Sequence, residues 1–350
     1  MAVQARGLAH ALAEAGTPVT VVPTNVSLGP LAWIRGARGI VNLCIYLLRL
    51  LVALPRADVV HIMAASGLSF FLFTVPAVLL GRIAGRRVLV NYRGGLAESF
   101  LHRRGRWVLP VLKLCHRLIV PSGFLKEVFD RVGLRPEVVP NYIDLARFSS
   151  PSEPGDGAEQ HGPRILVTRT LEPIYNIGAA LDAFRRVSSR IPGAELIIAG
   201  DGSLRRSLEK RVKEENLSGV TFLGRVDATR IPELYSRADL ALNPTNVDNM
   251  PISVLEAFAA GVPVVSTRAG GVSYLITHQV NGLLAEVGDA RGLAACMLKV
   301  LRQPEMAKRL ASAGRAFVES FSLEVVRVTW QSLYRQEARN RTGAGSPEDV

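Results

Sequence analysis

Short runs of β-branched and aliphatic residues alternate with longer amphipathic stretches along most of the chain. In the first half the runs are PVTVVPT (18–24), DVVHIM (58–63), RVLVNY (87–92), RLIVPS (117–122) and PEVVP (136–140), each bounded by turn residues. In the second half they are RILVTRT (164–170), AELIIAG (194–200), GVTFLG (219–224), ADLALNP (238–244), PVVST (263–267) and GLLAEV (282–287). Apolar residues at helical spacing fill the gaps, at 177–190, 203–215 and 231–237, and two long helical patterns follow at 289–301 and 305–335. Strands that alternate with helices predict βαβ units around parallel sheets. The expected class is α/β, with two doubly wound domains facing a cleft.

The alternation breaks at residues 149–163, SSPSEPGDGAEQHGP, which hold no apolar period and much Pro, Gly, Ser and acid. Such a stretch reads as a linker. The expected organisation is an N-terminal domain over 1–148, the linker, a C-terminal domain over 164–320, a closing helix at 321–337 and a flexible tail from 338 to 350. The chain opens in a helix, VQARGLAHALAEAG, closed by Gly16, ahead of its first strand-like run. A doubly wound domain usually begins with a central strand and a tight glycine-rich turn. Neither is legible here, so the start is read as lying downstream of the true one.

Length and charge sharpen this picture. A chain of 350 residues exceeds what one core commonly holds, which favours two domains. Residues 1–150 carry 18 Lys+Arg against 7 Asp+Glu, a balance of +11, and the rest carry 24 against 23, a balance of +1. A basic half beside a neutral one suggests an anionic partner for the first half, such as an acidic membrane surface. Nucleic acid is disfavoured, because no aromatic residues interleave the basic ones and no recognition motif is present. The three cysteines, Cys44, Cys115 and Cys296, are scattered, which fits a reducing cytoplasm better than a disulfide framework. GIVNLCIYLLRLLVALP (39–55) is interrupted by Asn42 and Arg49 and falls short of a membrane span. It reads as a buried helix or, flanked by Trp33, Arg35, Arg38 and Arg56, as one lying on a membrane surface.

Candidate chemistry concentrates in NVDNMPISVLEAFAAGVPVVST (246–267). Pro251 near the first turn, then Gly261 and Pro263 at the end, delimit an almost wholly apolar helix. Glu256 stands out inside it. A fixed carboxylate in an apolar setting suits a vicinal diol such as a ribose, and the competing reading pairs it with an arginine in the core. The loop Asp248–Asn249–Met250 offers backbone N–H groups at the helix N-terminus, where a phosphate is favoured. Arg169 follows the first strand of the second domain, where a guanidinium can fork onto a diphosphate. Gly200–Asp201–Gly202 and Gly270–Gly271 occupy two further strand–helix loops at the same sheet edge. No metal is expected. The six histidines lack ligand spacing, and there is no Asp-x-Asp pair to hold a cation against a diphosphate.

In motif order and spacing, GDGSLRRSLEKRVKEENLSGVTFLGRV, IPELYSRADLALNPT, DNMPISVLEAFAAGVPVVSTRAGGV and NGLLAEVGD resemble the retaining glycosyltransferases of family 4. DVVHIMAASG, RLIVPSGFLKEVF and VVPNYIDLARF are similar to that family's first half more loosely. The resemblance implies the GT-B fold, with two Rossmann-like domains and C-terminal helices returning to the first. It implies sugar transfer from a UDP- or GDP-sugar to a hydroxyl acceptor with retention, without cofactor or metal, in cell-surface polysaccharide or glycolipid synthesis. Carried over by position, Glu256 would hold the ribose and Arg169 the diphosphate. Asp248 would meet the transferred sugar, where the family usually has Glu. Gly202 and the backbone of Arg225 and Val226 would flank the base, with Gly270 and Gly271 on the opposite wall and Asn249 and Met250 in the donor loop. His61, read as ending its strand, would either be a satisfied structural histidine or face the acceptor together with Tyr92 and Arg93, which stand where many members carry a His. The family's Lys-Gly step after the arginine is replaced by Tyr175 and Asn176, a phenol that can bond a phosphate but brings no charge. The expected setting is the cytoplasm, at the inner membrane face, with a glycan or lipid-linked acceptor. The competing readings are a GT-B epimerase or hydrolase of nucleotide-sugars, and a catalytically impaired nucleotide-binding homologue.

Overall fold

The computed structural model describes residues 2–25, 37–148 and 162–342. Two compact units divide the chain: Met1–Asn141 with Leu323–Val350, and Tyr142–Ser322. The first contains α1 (Ala2–Glu14), α2 (Ala37–Ala53), β1 (Val59–Ala64), α3 (Val75–Ile83), β2 (Arg87–Tyr92), α4 (Ala97–Lys113), β3 (Arg117–Val120), α5 (Gly123–Asp130) and β4 (Glu137–Val138). The four strands lie parallel in chain order, β1-β2-β3-β4. Right-handed crossovers between strands in this order place α3, α4 and α5 on one face of the sheet. α2 packs beside α3. Val88, Val90 and Val120 fill the core between the sheet and these helices without exposure.

The run PVTVVPT does not become a strand: residues 17–23 form no regular element, and Val19 and Val21 stay exposed. Pro18 and Pro23 remove ladder donors at both ends of a short segment, and a lone extended run gains nothing without a partner. Trp33 and Arg35, expected beside the apolar helix, lie outside the described residues, as do positions 149–161 of the expected linker.

The second unit holds β5 (Arg164–Thr168), α6 (Ile177–Ser188), β6 (Glu195–Ala199), α7 (Arg205–Glu214), β7 (Val220–Gly224), α8 (Ile231–Ser236), β8 (Leu240–Asn243), α9 (Ile252–Ala259), β9 (Val264–Thr267), β10 (Leu283–Ala285), α10 (Ala290–Arg302) and α11 (Pro304–Val318). All six strands are parallel, in the order β10-β9-β8-β5-β6-β7. The order reverses between β5 and β8. That is the topological switch point of a doubly wound sheet, where the chain leaves neighbouring strands in opposite directions and opens a crevice. Phe148, just ahead of the expected linker, is already packed in this unit's core with Tyr235 and Leu255.

The helical pattern expected over 305–335 is broken. α11 ends in a turn at Glu319–Phe321, and α12 (Leu323–Thr342) begins after Ser322. The amide of Ile143 donates to the Phe321 carbonyl at 2.8 Å, which ties the break between the two helices to the second unit. α12 packs on β1, β2 and α1 of the first unit. It stays helical to Thr342, past the expected boundary at 337, and the Glu337 carboxylate, 1% exposed, takes Arg87 at 2.6 Å and Arg117 at 2.8 Å.

Candidate functional site

Along the carboxyl edge of the second sheet, strand order fixes the sequence of loops. After β9 come Gly270–Gly271, after β8 Asp248–Met250, after β5 Arg169, after β6 Gly200–Gly202, and after β7 Arg225–Val226. Arg169 and Asp248 therefore emerge from the two strands that flank the switch point.

Backbone stitching brings these two loops together. Asn246 donates its amide to the Ile174 carbonyl at 2.8 Å, and the Thr245 hydroxyl reaches the same oxygen at 3.2 Å. The Asn176 side-chain amide meets Asn246 Oδ1 at 2.9 Å. Asn176 takes φ +46°, caps α6 through Ala179, and ends the turn that carries Tyr175. This left-handed conformation is easiest for Gly and tolerated by Asn, so a Gly at this position, as the family resemblance implies, would adopt it without strain.

The guanidinium of Arg169 is held on three sides. Its Nε donates to Asn243 Oδ1 at 2.8 Å, one terminal nitrogen pairs with Asp248, and its face lies 4.8 Å from the centre of the Tyr175 ring. The Arg169 and Asp248 side chains are 11% and 12% exposed. Asn243 is fixed in turn by Ser266, its amide donating to the hydroxyl at 2.8 Å. A positioned, aromatic-backed cation beside a carboxylate is suited to binding an anion next to hydroxyl groups.

Glu256 sits one turn into α9, part-buried, with the Tyr235 hydroxyl 3.5 Å from its carboxylate. Tyr235 also meets Thr168 at 2.7 Å and the Ser253 carbonyl at 2.9 Å, so its position is set by β5 and α9 together. Burial pushes the Glu256 carboxyl up to about 7, although Arg147 and Arg169 nearby and the tyrosine bond pull the other way. Among the described residues no ion pair closes on Glu256, so the arginine-paired alternative is not what the structure forms. A desolvated carboxylate with no salt-bridge partner is a common mark of a functional site.

Several glycines have structural reasons of their own. A Cβ on Gly271 would run into the Asn249 carbonyl, and one on Gly200 into that of Arg169. A Cβ on Gly202 would stand 2.6 Å from the Leu171 carbonyl. The Gly271 amide is already given to the Asp248 carbonyl at 2.8 Å. Asn249 and Met250 are buried under this loop, 5% exposed each. Arg225 is exposed and Val226 half-buried at the end of the outer strand β7, two strands from β5, and neither joins the Arg169 cluster.

The first unit treats its candidates differently. His61 does not end its strand, which runs three residues further to Ala64. Its ring stacks on Trp330 at 4.3 Å, and Nδ1 lies 2.6 Å from the Tyr334 hydroxyl. Burial, with Arg93 nearby, holds its pKa down at about 3. Tyr92 has no exposure and its hydroxyl bonds Ser66 at 2.8 Å. Both side chains are spent in the core and under α12, which is the structural alternative for His61 and corrects the acceptor-facing placement expected of Tyr92. Arg93 is half-buried, bonded to Asn141.

Tyr235, Thr168, Asn243 and Arg147 were not singled out from sequence, yet they surround Arg169 and Glu256. One signal was present: Asn243 closes an otherwise apolar central strand, and a buried amide there needs a polar partner.

The sequence model described as Glycosyltransferase Family 4 matches residues 1–147, and that described as Glycosyl transferases group 1 matches residues 153–317. The N-acetyl-alpha-D-glucosaminyl L-malate synthase of Bacillus anthracis is 26% identical over 228 residues, 64% of this chain and 57% of its own length. A GDP-mannose-dependent monoacylated alpha-(1-6)-phosphatidylinositol monomannoside mannosyltransferase of Corynebacterium glutamicum is 28% identical over 219 residues, 58% of this chain and 57% of its own length. The aligned region thus spans little more than half of these relatives. Anabaena HepE, solved in complex with UDP and glucose, superposes with a TM-score of 0.75 at 20% identity, over 93% of this chain and 88% of its own. That likeness is one of fold, the GT-B fold. With both halves matched in order, the chain belongs to glycosyltransferase family 4.

Proposed function

We propose that this protein transfers a sugar from a UDP- or GDP-linked donor to a hydroxyl acceptor, with retention at the anomeric carbon, in the synthesis of a surface polysaccharide or glycolipid. The observation that carries this reading is the Arg169–Asp248–Tyr175 cluster at the switch point, with the unpaired Glu256 carboxylate close by. Family membership, a relative named for GDP-mannose and a fold neighbour solved with UDP and glucose support it.

In this reading the ribose hydroxyls donate to Glu256, and ionisation of Glu256 is favoured by those bonds. The diphosphate takes the guanidinium N–H groups of Arg169 that Asn243 and Asp248 leave. Because Asp248 already neutralises Arg169, the phosphate competes with it, and the released carboxylate is free to accept from sugar hydroxyls. Phosphate and sugar recognition are thereby coupled through one exchange of partners. As the bond between the anomeric carbon and the β-phosphate oxygen breaks, Arg169 stabilises the charge that builds on that oxygen. The same oxygen takes the proton of the acceptor hydroxyl, whose oxygen forms the new bond on the same face. Arg93 remains a candidate on the acceptor side. The basic first unit is read as meeting a lipid-linked or growing glycan acceptor at the cytoplasmic membrane face.

Calorimetric titration with UDP-, GDP- and ADP-sugars tests the reading. Saturable binding to one base class is expected, with an α-linked product from an α-linked donor by NMR. Absence of binding to every nucleotide-sugar would sink it, and release of free sugar at the same rate with and without acceptor would favour a hydrolase.

A further inference from the structure

α2 has two apolar faces, and only one of them is used inside the protein. Tyr46, Leu50 and Leu54 enter the first unit's core, and the Tyr46 hydroxyl bonds the Phe73 carbonyl at 3.1 Å. On the other side Ile40, Leu48, Leu51 and Val52 are 50–68% exposed. A helix on a soluble protein normally turns charge outward there. The neighbouring α3 repeats the pattern, with Leu79 at 42% and Ile83 at 82% exposure. α4, next to α3 in the same layer, exposes Trp107 at 57%, with the Arg106 guanidinium 5.2 Å from its ring.

Charge on these helices has one sign. α2, α3 and α4 carry seven Lys and Arg and a single acid, Glu98, which is tied to Arg131 at 3.3 Å. Arg49 and Arg56 are exposed one beyond the other, two turns apart, along one edge of the apolar stripe. Arg103, Arg104, Arg106 and Lys113 are exposed on α4. Protein interfaces deplete charge at their apolar centres, whereas the boundary of an acidic bilayer accepts aliphatic side chains, Trp and basic heads together.

We propose that the outer faces of α2, α3 and α4 form one surface that lies on an anionic lipid bilayer, with aliphatic side chains in the acyl boundary and arginines among the phosphates. This rests on the reading that the acceptor is met at a membrane and names the surface and lipid class involved. Gly39–Arg56 is long and apolar enough to cross a membrane. Crossing would strip Tyr46, Leu50 and Leu54 from the core, so the helix lies along the surface instead.

The test is flotation with vesicles of phosphatidylcholine alone and of phosphatidylcholine with phosphatidylglycerol in equal parts. The full chain should float with the acidic vesicles at least ~10-fold more than with neutral ones, as several arginines at the surface require. Leu48→Gln with Leu51→Gln should remove flotation, and Arg103→Gln with Arg106→Gln should remove the preference for acidic lipid. These positions are exposed, so unchanged melting and unchanged nucleotide-sugar binding in lipid-free buffer verify the fold. Equal flotation with both vesicle types, survival of flotation in the leucine variant, or resistance to carbonate extraction would each overturn the proposal. Loss of donor binding with flotation intact would sink the functional reading and leave the surface. Donor binding without flotation would do the reverse.

Discussion

Each unit contains a carboxylate fixed on a helix, and the two are treated in opposite ways. Burial alone would push Glu337 of α12 up, but the bonds from Arg117 and Arg87 outweigh it and leave its carboxyl below the usual range. Among the described residues Glu256 of α9 bonds a tyrosine hydroxyl at 3.5 Å and closes no ion pair, so its desolvation is only partly offset by Arg147, Arg169 and that bond, leaving it near 7. One carboxylate has its full complement of partners inside the fold. The other, in the proposed reading, takes its donors from a ligand. The same contrast runs through the sheets: the second unit opens polar loops at a switch point, while His61 and Tyr92 of the first are spent on packing.

The largest expected effect comes from removing the satisfied charge. Glu337→Gln leaves Arg87 part-buried without its carboxylate and Arg117 with Glu137 alone, and a stability loss of about 3 kcal/mol is expected, the low end for breaking a buried pair. Denaturant unfolding reads it. The wild-type contribution should be present above pH 4.5, the ordinary carboxyl value, and should vanish as pH falls through the depressed folded value. A change below 1 kcal/mol would show that α12 is anchored by Trp330 and Gln331 instead.

Glu256→Gln should behave in the opposite sense. Nucleotide-sugar affinity should fall by about 100-fold, for want of a charged acceptor for two ribose hydroxyls. Stability should rise at pH 8 by on the order of 1–3 kcal/mol, because the folded carboxyl titrates near 7 and the unfolded one near 4.5. The penalty is absent below pH 4.5, grows between those values, and is complete above about 7. Lost binding together with a lower melting temperature would return Glu256 to a structural role. In the wild type the same ionisation should weaken donor binding by up to about tenfold per unit as pH drops below 7, measured with a nucleotide-sugar whose diphosphate stays fully ionised.

The contrast was only half legible in the sequence. Strands buried on both faces read as aliphatic runs, so β5, β6, β8 and β9 were visible, and with them the loops that carry Arg169 and Asp248. Glu256 was visible because one acid in ISVLEAFA has no local reason to be there. Partnership was not visible. Glu337 looks like any charge in a polar helical tail until Arg87 and Arg117, some 220–250 residues earlier, are folded against it. His61 looked like a strand end because ladder length is set by neighbouring strands, which a local pattern does not contain.

Asp248 tests whether the exchange of partners at Arg169 is real. Asp248→Ala should raise affinity for the bare nucleoside diphosphate several-fold, since the phosphate no longer competes for the guanidinium, while transfer falls by about 10-fold or more through loss of sugar contacts. Calorimetry and turnover read the two sides. Equal losses in both would mean that Asp248 only holds the loop.

The smallest effect expected is at Tyr175, and it bears on how a family member manages with Tyr in place of Lys. The ring lies against the face of the Arg169 guanidinium, leaving the N–H edge for Asn243, Asp248 and an incoming phosphate. If the aromatic face is what matters, Tyr175→Phe should keep donor affinity within about twofold, whereas Tyr175→Ala should lose roughly 3–10-fold, the range of an exposed to partly desolvated cation–π contact. If the hydroxyl bonds the phosphate directly, Phe and Ala should fall together. Tyr175→Lys separates the remaining possibility. An ammonium beside Arg169 would repel it and weaken the Asp248 pair, yet add charge for the leaving phosphate, so KM should rise while kcat is held or increased. A fall in both would place the value of this position in holding Arg169 still rather than in the charge it brings.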